Sequence, residues 1–299
     1  MENYMQKEAK IMFQIVTDTS ANLPTEYLQR EQITLVPFTF HTESGEHACM
    51  DTQSFDAKDF YTRMRAGERV TTSQIPPQRF IDALTPMLAR GEEVLFVSGV
   101  SGSYASGKIA EKQLREEFPE RKILFVDTYS ASLGEGLLVM RAADCRREGM
   151  SIDETYKLLR SLRHRMAQIF TVGDLRYLRK TGRLSNLEAA VGTVLQIKPL
   201  LKGDPQGKIV CFAKLRGRQR AIEAIAQRYA ELVVEPESQV IGIAHADCEA
   251  DAQILASMLR RSRPPKDILM VDYEPVTGSH VGPGALALFF LSDENVRNI

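Results

Sequence analysis

Short apolar runs and amphipathic stretches alternate along the first half of this chain. Phe13-Gln14-Ile15-Val16-Thr17-Asp18 has the strand pattern and ends in polar residues. Ile33-Thr34-Leu35-Val36-Pro37-Phe38 is a second run, in which Pro37 marks an edge or a strand end because it has no amide hydrogen for a ladder. Helical spacing follows around residues 55–65 and 80–89. Then come an apolar run at 94–97, helical spacing at 104–117, a run at 123–126 and helical spacing from 133 to 147. Strands alternating with helices predict a parallel sheet covered on both faces. Ligands of such sheets collect beyond the carboxyl ends of the strands. Thr17-Asp18-Thr19-Ser20, Ser98-Gly99 and Asp127-Thr128-Tyr129-Ser130 all fall there, so three polar turns are expected at one rim.

After a helical stretch at 152–165 the pattern changes. Ile169-Phe170-Thr171-Val172 is strand-like, and residues 198–202 and 208–213 flank Gly203-Asp204-Pro205-Gln206-Gly207, a hairpin signal. Helical spacing at 218–233 and 250–261 is interleaved with strand patterns at 240–244, 268–273 and 285–291. A hairpin followed by late strands predicts a mixed or antiparallel sheet with helices on one face. The fold class is therefore α/β in two domains: an N-terminal α/β/α domain over 1–160 and a C-terminal two-layer α+β domain over 161–299, with the boundary near Arg160. No internal repeat is visible.

Composition narrows the function. The chain has 299 residues, 43% of them hydrophobic, and a formal net charge of −1, which disfavours wholesale binding to nucleic acid or to a membrane surface. No apolar run approaches the roughly 20 residues of a membrane span, and the polar start Met1-Glu2-Asn3-Tyr4 has no signal-peptide core. Cys49, Cys145, Cys211 and Cys248 are scattered without a C-x-x-C pair. They read as idle thiols of a reducing cytoplasm rather than a disulfide framework or zinc site. The five histidines form no H-E-x-x-H pair, so no metal site is expected.

The stretch Val97-Ser98-Gly99-Val100-Ser101-Gly102-Ser103 stands between a strand and a helix, where free backbone N–H groups and the positive helix end favour an anion. Gly102-Ser103-Tyr104-Ala105-Ser106-Gly107-Lys108 matches seven positions of a phosphate-binding loop, but Ile109 stands where a metal-binding hydroxyl is required. Its glycine and lysine also fall inside the expected helix. His280, in Gly278-Ser279-His280-Val281-Gly282-Pro283-Gly284, reads as a glycine-flanked turn residue able to donate to a carboxylate. Thr71-Thr72-Ser73-Gln74 reads as a hydroxyl-rich turn before a helix begun by Pro77. The basic stretches at 176–183 and 214–220 are either solvated surface or a face for an acidic or phosphate-bearing partner. A serine hydrolase or acyltransferase using Ser98 and His280 is the rival reading, although Ser98 lacks the Gly-x-Ser-x-Gly elbow.

Taken in order, these pieces resemble one family. Val16-Thr17-Asp18-Thr19-Ser20, Thr72-Ser73-Gln74, Ser98-Gly99-Val100-Ser101-Gly102-Ser103 and Val126-Asp127-Thr128 are followed by Leu175-Arg176-Tyr177-Leu178-Arg179-Lys180-Thr181-Gly182-Arg183-Leu184-Ser185. Ile197-Lys198-Pro199-Leu200-Leu201, Lys214-Leu215-Arg216 and His280-Val281-Gly282-Pro283-Gly284 complete the series. The chain resembles DegV-family proteins, the fatty-acid-binding components of bacterial fatty acid kinase systems. That resemblance implies a long-chain fatty acid held between the two domains, its carboxylate bound by Thr72, Ser98, Gly99 and His280. It also implies a partner kinase engaged through Arg216 that phosphorylates the bound carboxyl, with no catalysis, cofactor or metal of the protein's own. The chain departs from the family pattern at Thr181, Ser103 and Val97, where glycine, threonine and serine are usual.

Overall fold

The computed structural model describes residues 13–49, 52, 54–99, 102–183, 197–293 and 296–298. The polar start of the chain, Val100-Ser101 of the serine-glycine turn and Leu184-Ser185 of the basic stretch lie outside the described residues.

In chain order the first half forms β1 (Gln14–Asp18), α1 (Thr25–Arg30), β2 (Ile33–Val36), β3 (Thr39–Thr42), β4 (Gly45–Ala48), α2 (Ala57–Ala66), β5 (Thr71–Ser73), α3 (Pro77–Ala89), β6 (Val94–Ser98), α4 (Gly102–Glu117), β7 (Ile123–Asp127), α5 (Leu133–Arg147) and α6 (Ile152–Leu162). Four strands pair in parallel in the order β2-β1-β6-β7. Every residue of β6 is buried, as the centre of a sheet covered on both faces requires. β2 is an edge strand that stops at Val36, before Pro37, as expected from the missing amide hydrogen. Local chemistry sets the helix starts: Pro77 occupies the first position of α3, and Ser151 with Glu154 forms a reciprocal capping box on α6.

The second half forms β8 (Met166–Thr171), α7 (Arg176–Lys180), β9 (Ile197–Gly203), β10 (Ile209–Arg216), α8 (Arg218–Leu232), β11 (Val240–His245), α9 (Glu249–Ser262), β12 (Asp267–Asp272), α10 (Pro275–Val281) and β13 (Leu286–Leu291). They build a mixed sheet in the order β10-β9-β8-β13-β11-β12, in which β11 and β12 run parallel and the other neighbours antiparallel. Strand alternation divides the residues of β13 between the two faces. Leu286, Leu288 and Phe290 join the core under α8 and α9, while Ala287 and Phe289 face the core shared with the first half.

α5 lies in that shared core, packed on β1 and β6 of the parallel sheet and on β8, β11 and β13 of the mixed one. This explains why its sequence lacks a polar face: ten of its fifteen residues are buried, as a helix covered on two sides demands. Small residues permit the approach. A Cβ at Gly136 would sit 2.4 Å from the Ala21 carbonyl oxygen, and one at Gly242 on β11 would sit 2.8 Å from Leu133 of α5.

Two local expectations are corrected. Residues 71–73 are not a turn but the strand β5, which pairs with β3 through Thr72 opposite Phe40 and forms a small antiparallel sheet with β4. His280 is not on a glycine turn but in the last turn of α10, and the left-handed Gly282 comes just after the helix. The basic stretch that begins at Arg176 is a short helix, α7, over its first five residues. No helix among the described residues is long and apolar enough to cross a membrane.

Candidate functional site

The three polar turns meet at the carboxyl edge of the parallel sheet. The Thr128 amide and hydroxyl both donate to the Ser98 carbonyl, at 3.0 and 2.9 Å. The Ser98 hydroxyl, fully buried, donates to Asp18 Oδ2 at 2.8 Å and lies 3.2 Å from the Gly99 carbonyl. Asp18 also accepts the Ser20 amide at 2.9 Å and the Ser20 hydroxyl at 2.5 Å. Ser20 Oγ in turn is 2.6 Å from Glu135 Oε2, at the start of α5. Both acids are fully buried, and burial raises both from their ordinary values, Glu135 by a wide margin with the Asp18 charge adding to the effect. Two unit charges about 5 Å apart repel by roughly 3 kcal/mol in a medium of intermediate dielectric. Gly99 lies against this cluster: a Cβ there would be 2.4 Å from Glu135 Oε2 and 2.8 Å from Ser20 Oγ.

Ser20 is also part of the wall of a cleft of about 720 Å³ between the parallel sheet's rim and the mixed sheet. Thr72 of β5 and His280 of α10 line the same cleft, and Thr72 Oγ1 lies 3.1 Å from His280 Nε2. Desolvation, with help from the Arg183 charge, pushes the imidazole down to about 4, so it is neutral at pH 7. Its other nitrogen, Nδ1, is buried and has no hydrogen-bond partner among the described residues. Phe38, Phe170, Leu178, Ile209, Val276 and Val281 supply apolar wall, which alternates with hydroxyl residues and with Lys180, Arg183 and Lys208. Gln168 of β8 adds one amide, whose Oε1 accepts the Ala131 N–H.

Thr72 and His280, 208 residues apart in sequence, are thus brought together at the cleft. Ser98 and Gly99 are not among its lining residues and stand behind Ser20. Arg216, at the far end of β10 opposite Ile197, is exposed and away from the cleft. Lys180 and Arg183 of the other basic stretch do line it, and Lys180 also borders an adjoining polar cleft of about 700 Å³. The Ser98 hydroxyl hydrogen points to Asp18 and His280 bonds to Thr72, so the described residues show no Ser98–His280 pair of the kind a serine hydrolase needs. The seven-residue phosphate-loop match is wound into α4 from Gly102 onward, and Lys108 pairs with Glu111 on that helix. No group of three or more His, Cys, Asp or Glu among the described residues could hold a metal ion.

The sequence reading did not single out Glu135 or Gln168. A signal for Glu135 was present: a lone acid in Leu133-Gly134-Glu135-Gly136-Leu137, between small and apolar neighbours that are all buried. Gln168 offers no comparable signal, because its place depends on which face of β8 meets the cleft.

A family model, that of the DegV family, matches residues 12–293. A DegV domain-containing protein of Clostridium perfringens, CPE0026, is 37% identical over 284 residues, covering 94% of this chain and 98% of the relative. Among solved structures, one titled for fatty acid binding of a DegV family protein from Thermus thermophilus superposes with a TM-score of 0.84 at 27% identity, covering 94% of this chain and 99% of that one. A fatty acid binding DegV family protein of Streptococcus agalactiae, SAG1342, gives 0.81 at 29% identity with the same coverage. The chain, with its parallel and mixed sheets around a shared cleft, belongs to the DegV family.

Proposed function

We propose that this protein binds a long-chain fatty acid, burying the tail in the 720 Å³ cleft and holding the carboxyl group at Thr72 and His280. The observation that carries the reading is a cleft partly walled by apolar side chains, with a polar corner where a threonine and a neutral imidazole meet. Its volume is in the range that encloses a drug-sized or lipid ligand. Burying each methylene contributes about 0.8 kcal/mol before the costs of association, so the tail supplies most of the affinity. The polar corner sets which end of the molecule lies there. Fatty acid binding by the Thermus thermophilus and Streptococcus agalactiae neighbours supports the same conclusion.

In this reading Ser98 and Gly99 shape the wall behind Ser20, and the lipid lies between domains 1–160 and 161–299, which are joined through a shared core. The protein is a cytoplasmic carrier without catalysis, metal or cofactor of its own. It presents the carboxyl end to a fatty acid kinase, which forms an acyl phosphate, and Arg216 on the exposed end of β10 serves the docking of that kinase.

Organic extraction of the purified protein followed by mass spectrometry is expected to release long-chain fatty acid in near-stoichiometric amount, and an empty extract would refute the reading. Thr72→Ala and His280→Ala are expected to lower retained lipid. Arg216→Ala is expected to keep its lipid and to fail as a kinase substrate carrier; loss of lipid would place Arg216 in the binding machinery instead. Acyl-ester turnover by the protein alone, abolished in both Ser98→Ala and His280→Ala, would favour the hydrolase.

A further inference from the structure

Carboxylate binding needs hydrogen-bond donors, yet the wall behind the cleft holds two buried acids. Ser20 Oγ is 2.5 Å from Asp18 Oδ1 and 2.6 Å from Glu135 Oε2. Thr17 Oγ1 is 2.9 Å from the Val97 carbonyl and 3.0 Å from Glu135 Oε1. These four contacts join hydroxyl oxygens to acceptors, and the two hydroxyls own only two hydrogens. A proton on Glu135 supplies a third: Glu135 donates to Ser20, Ser20 donates to Asp18, and Thr17 serves Glu135 or Val97. Asp18 is the better seat for a charge, since it also accepts the Ser20 amide and the Ser98 hydroxyl. Among the described residues, the Glu135 carboxyl meets only side-chain hydroxyls, from Thr17 and Ser20. The surroundings agree. β6 faces the pair with Ser98, the segment leading into α10 adds a third buried acid, Glu274, and no Lys, Arg or His among the described residues pairs with Asp18 or Glu135. The start of α5 favours an ionised Glu135, but only weakly against a neighbouring carboxylate that shares one hydroxyl with it.

We propose that Asp18 and Glu135 share a single negative charge, carried by Asp18, and that this charge biases the head-group site toward the uncharged form of a bound carboxyl group. The proposal rests on the lipid-binding reading above. Ser20 is the link to the cleft: its hydrogen is given to Asp18, so a ligand reaching that wall meets a lone pair and, one bond further back, a charge of its own sign. Both features favour a carboxylic acid O–H over a carboxylate. Asp18 and Glu135 are positioning residues and touch no ligand.

The test loads the lipid-free full chain with palmitic acid labelled with carbon-13 at the carboxyl and follows the bound resonance against pH. The wild-type midpoint is expected at least about one unit above that of Asp18→Asn, a tenfold difference in proton affinity. Glu135→Gln, which keeps a neutral donor toward Ser20, is expected to leave the midpoint where it is in wild type. Equal midpoints in wild type and Asp18→Asn, or a shift in Glu135→Gln as large as that in Asp18→Asn, overturns the proposal. Absence of a bound resonance in wild type overturns the lipid reading itself, and this proposal with it. If Asp18→Asn does not fold, infrared spectra of the lipid-free protein at pH 8 decide. A protonated-carboxyl band present in wild type and lost in Glu135→Gln supports the assignment, and its absence from wild type overturns it.

Discussion

Gly99 shows how closely single residues are specified at the rim. A methyl group there meets Glu135 Oε2 at 2.4 Å, Ser20 Oγ at 2.8 Å and the Ser130 carbonyl oxygen at 2.9 Å. The two side chains are held by hydrogen bonds and the third neighbour is backbone, so none moves freely. Gly99→Ala is therefore expected to destabilise the fold by about 1–3 kcal/mol, as overpacking does, and to lower the melting temperature by several degrees. A melting temperature equal to wild type would mean that the acid cluster is slack. The motif Ser98-Gly99 was legible in the sequence as a turn made for close approach, while the meeting of Thr72 with His280 was suggested only by the family resemblance. What was not legible is what approaches Gly99. Sequence suggests a ligand, whereas the nearest atoms belong to Ser20 and Glu135, because burial of a pair of acids leaves no periodic trace.

At the scale of elements, α10 ties His280 to a titratable cap. Glu274 accepts the amides of Val276 and Thr277 at the helix start, and its own amide donates to Asn22 Oδ1 at 3.1 Å, just after β1. The helix packs on β5 and β3, so the cap holds His280 against Thr72. Burial pushes Glu274 up to about 7 from 4.5, against the pull of its hydrogen bonds. A carboxyl group raised on folding binds more protons folded than unfolded between those values, so stability falls as pH rises through that window, by up to roughly 3 kcal/mol. His280 acts with the opposite sign below about 6.5, where the unfolded imidazole takes up a proton that the folded one refuses until about 4. The Glu274 effect is thus clearest between pH 6.5 and 7.5. Wild type is expected to lose melting temperature across that interval, and Glu274→Gln to lose much less; parallel curves for the two proteins would remove Glu274 as the cause. α10 itself escaped the sequence reading because three glycines in Gly278–Gly284 signal a turn. The helix forms through its buried cap and its packing against Tyr61, whose hydroxyl would lie 2.1 Å from a Cβ at Gly278. Long helices such as α5 and α8 were legible within a residue or two of their observed ends, because a long run without proline carries the element.

For the molecule as a whole, the change of pattern near Arg160 suggests two separable units, yet the packing across it is continuous. One apolar cluster contains Ile15, Leu95 and Val97 of the parallel sheet, Leu137 and Leu138 of α5, and Phe170, Ala244 and Phe289 of the mixed sheet. Tyr61 of α2 donates to the Tyr273 carbonyl at 2.6 Å, and Asn22 Nδ2 to the Asp272 carbonyl at 3.1 Å. α5 contacts both sheets, so separating the halves would expose one of its faces whichever half kept it. At about 25 cal/mol per Å² of apolar surface, even a few hundred Å² exposed this way costs several kcal/mol, comparable to the stability of a typical domain. Unfolding is therefore expected as one cooperative transition, with circular dichroism and intrinsic tyrosine fluorescence giving coincident curves. Leu133→Ala, at the point where α5 meets Gly242 of β11, is expected to lower the single midpoint by the 2–5 kcal/mol typical of a buried leucine. Two resolved transitions, with Leu133→Ala shifting only one, would show that the cleft lies between independently stable units rather than within one core. The distinction bears on the proposed lipid ligand, because a tail bound within one core must enter by local opening, whereas a tail between two stable units can enter as they part.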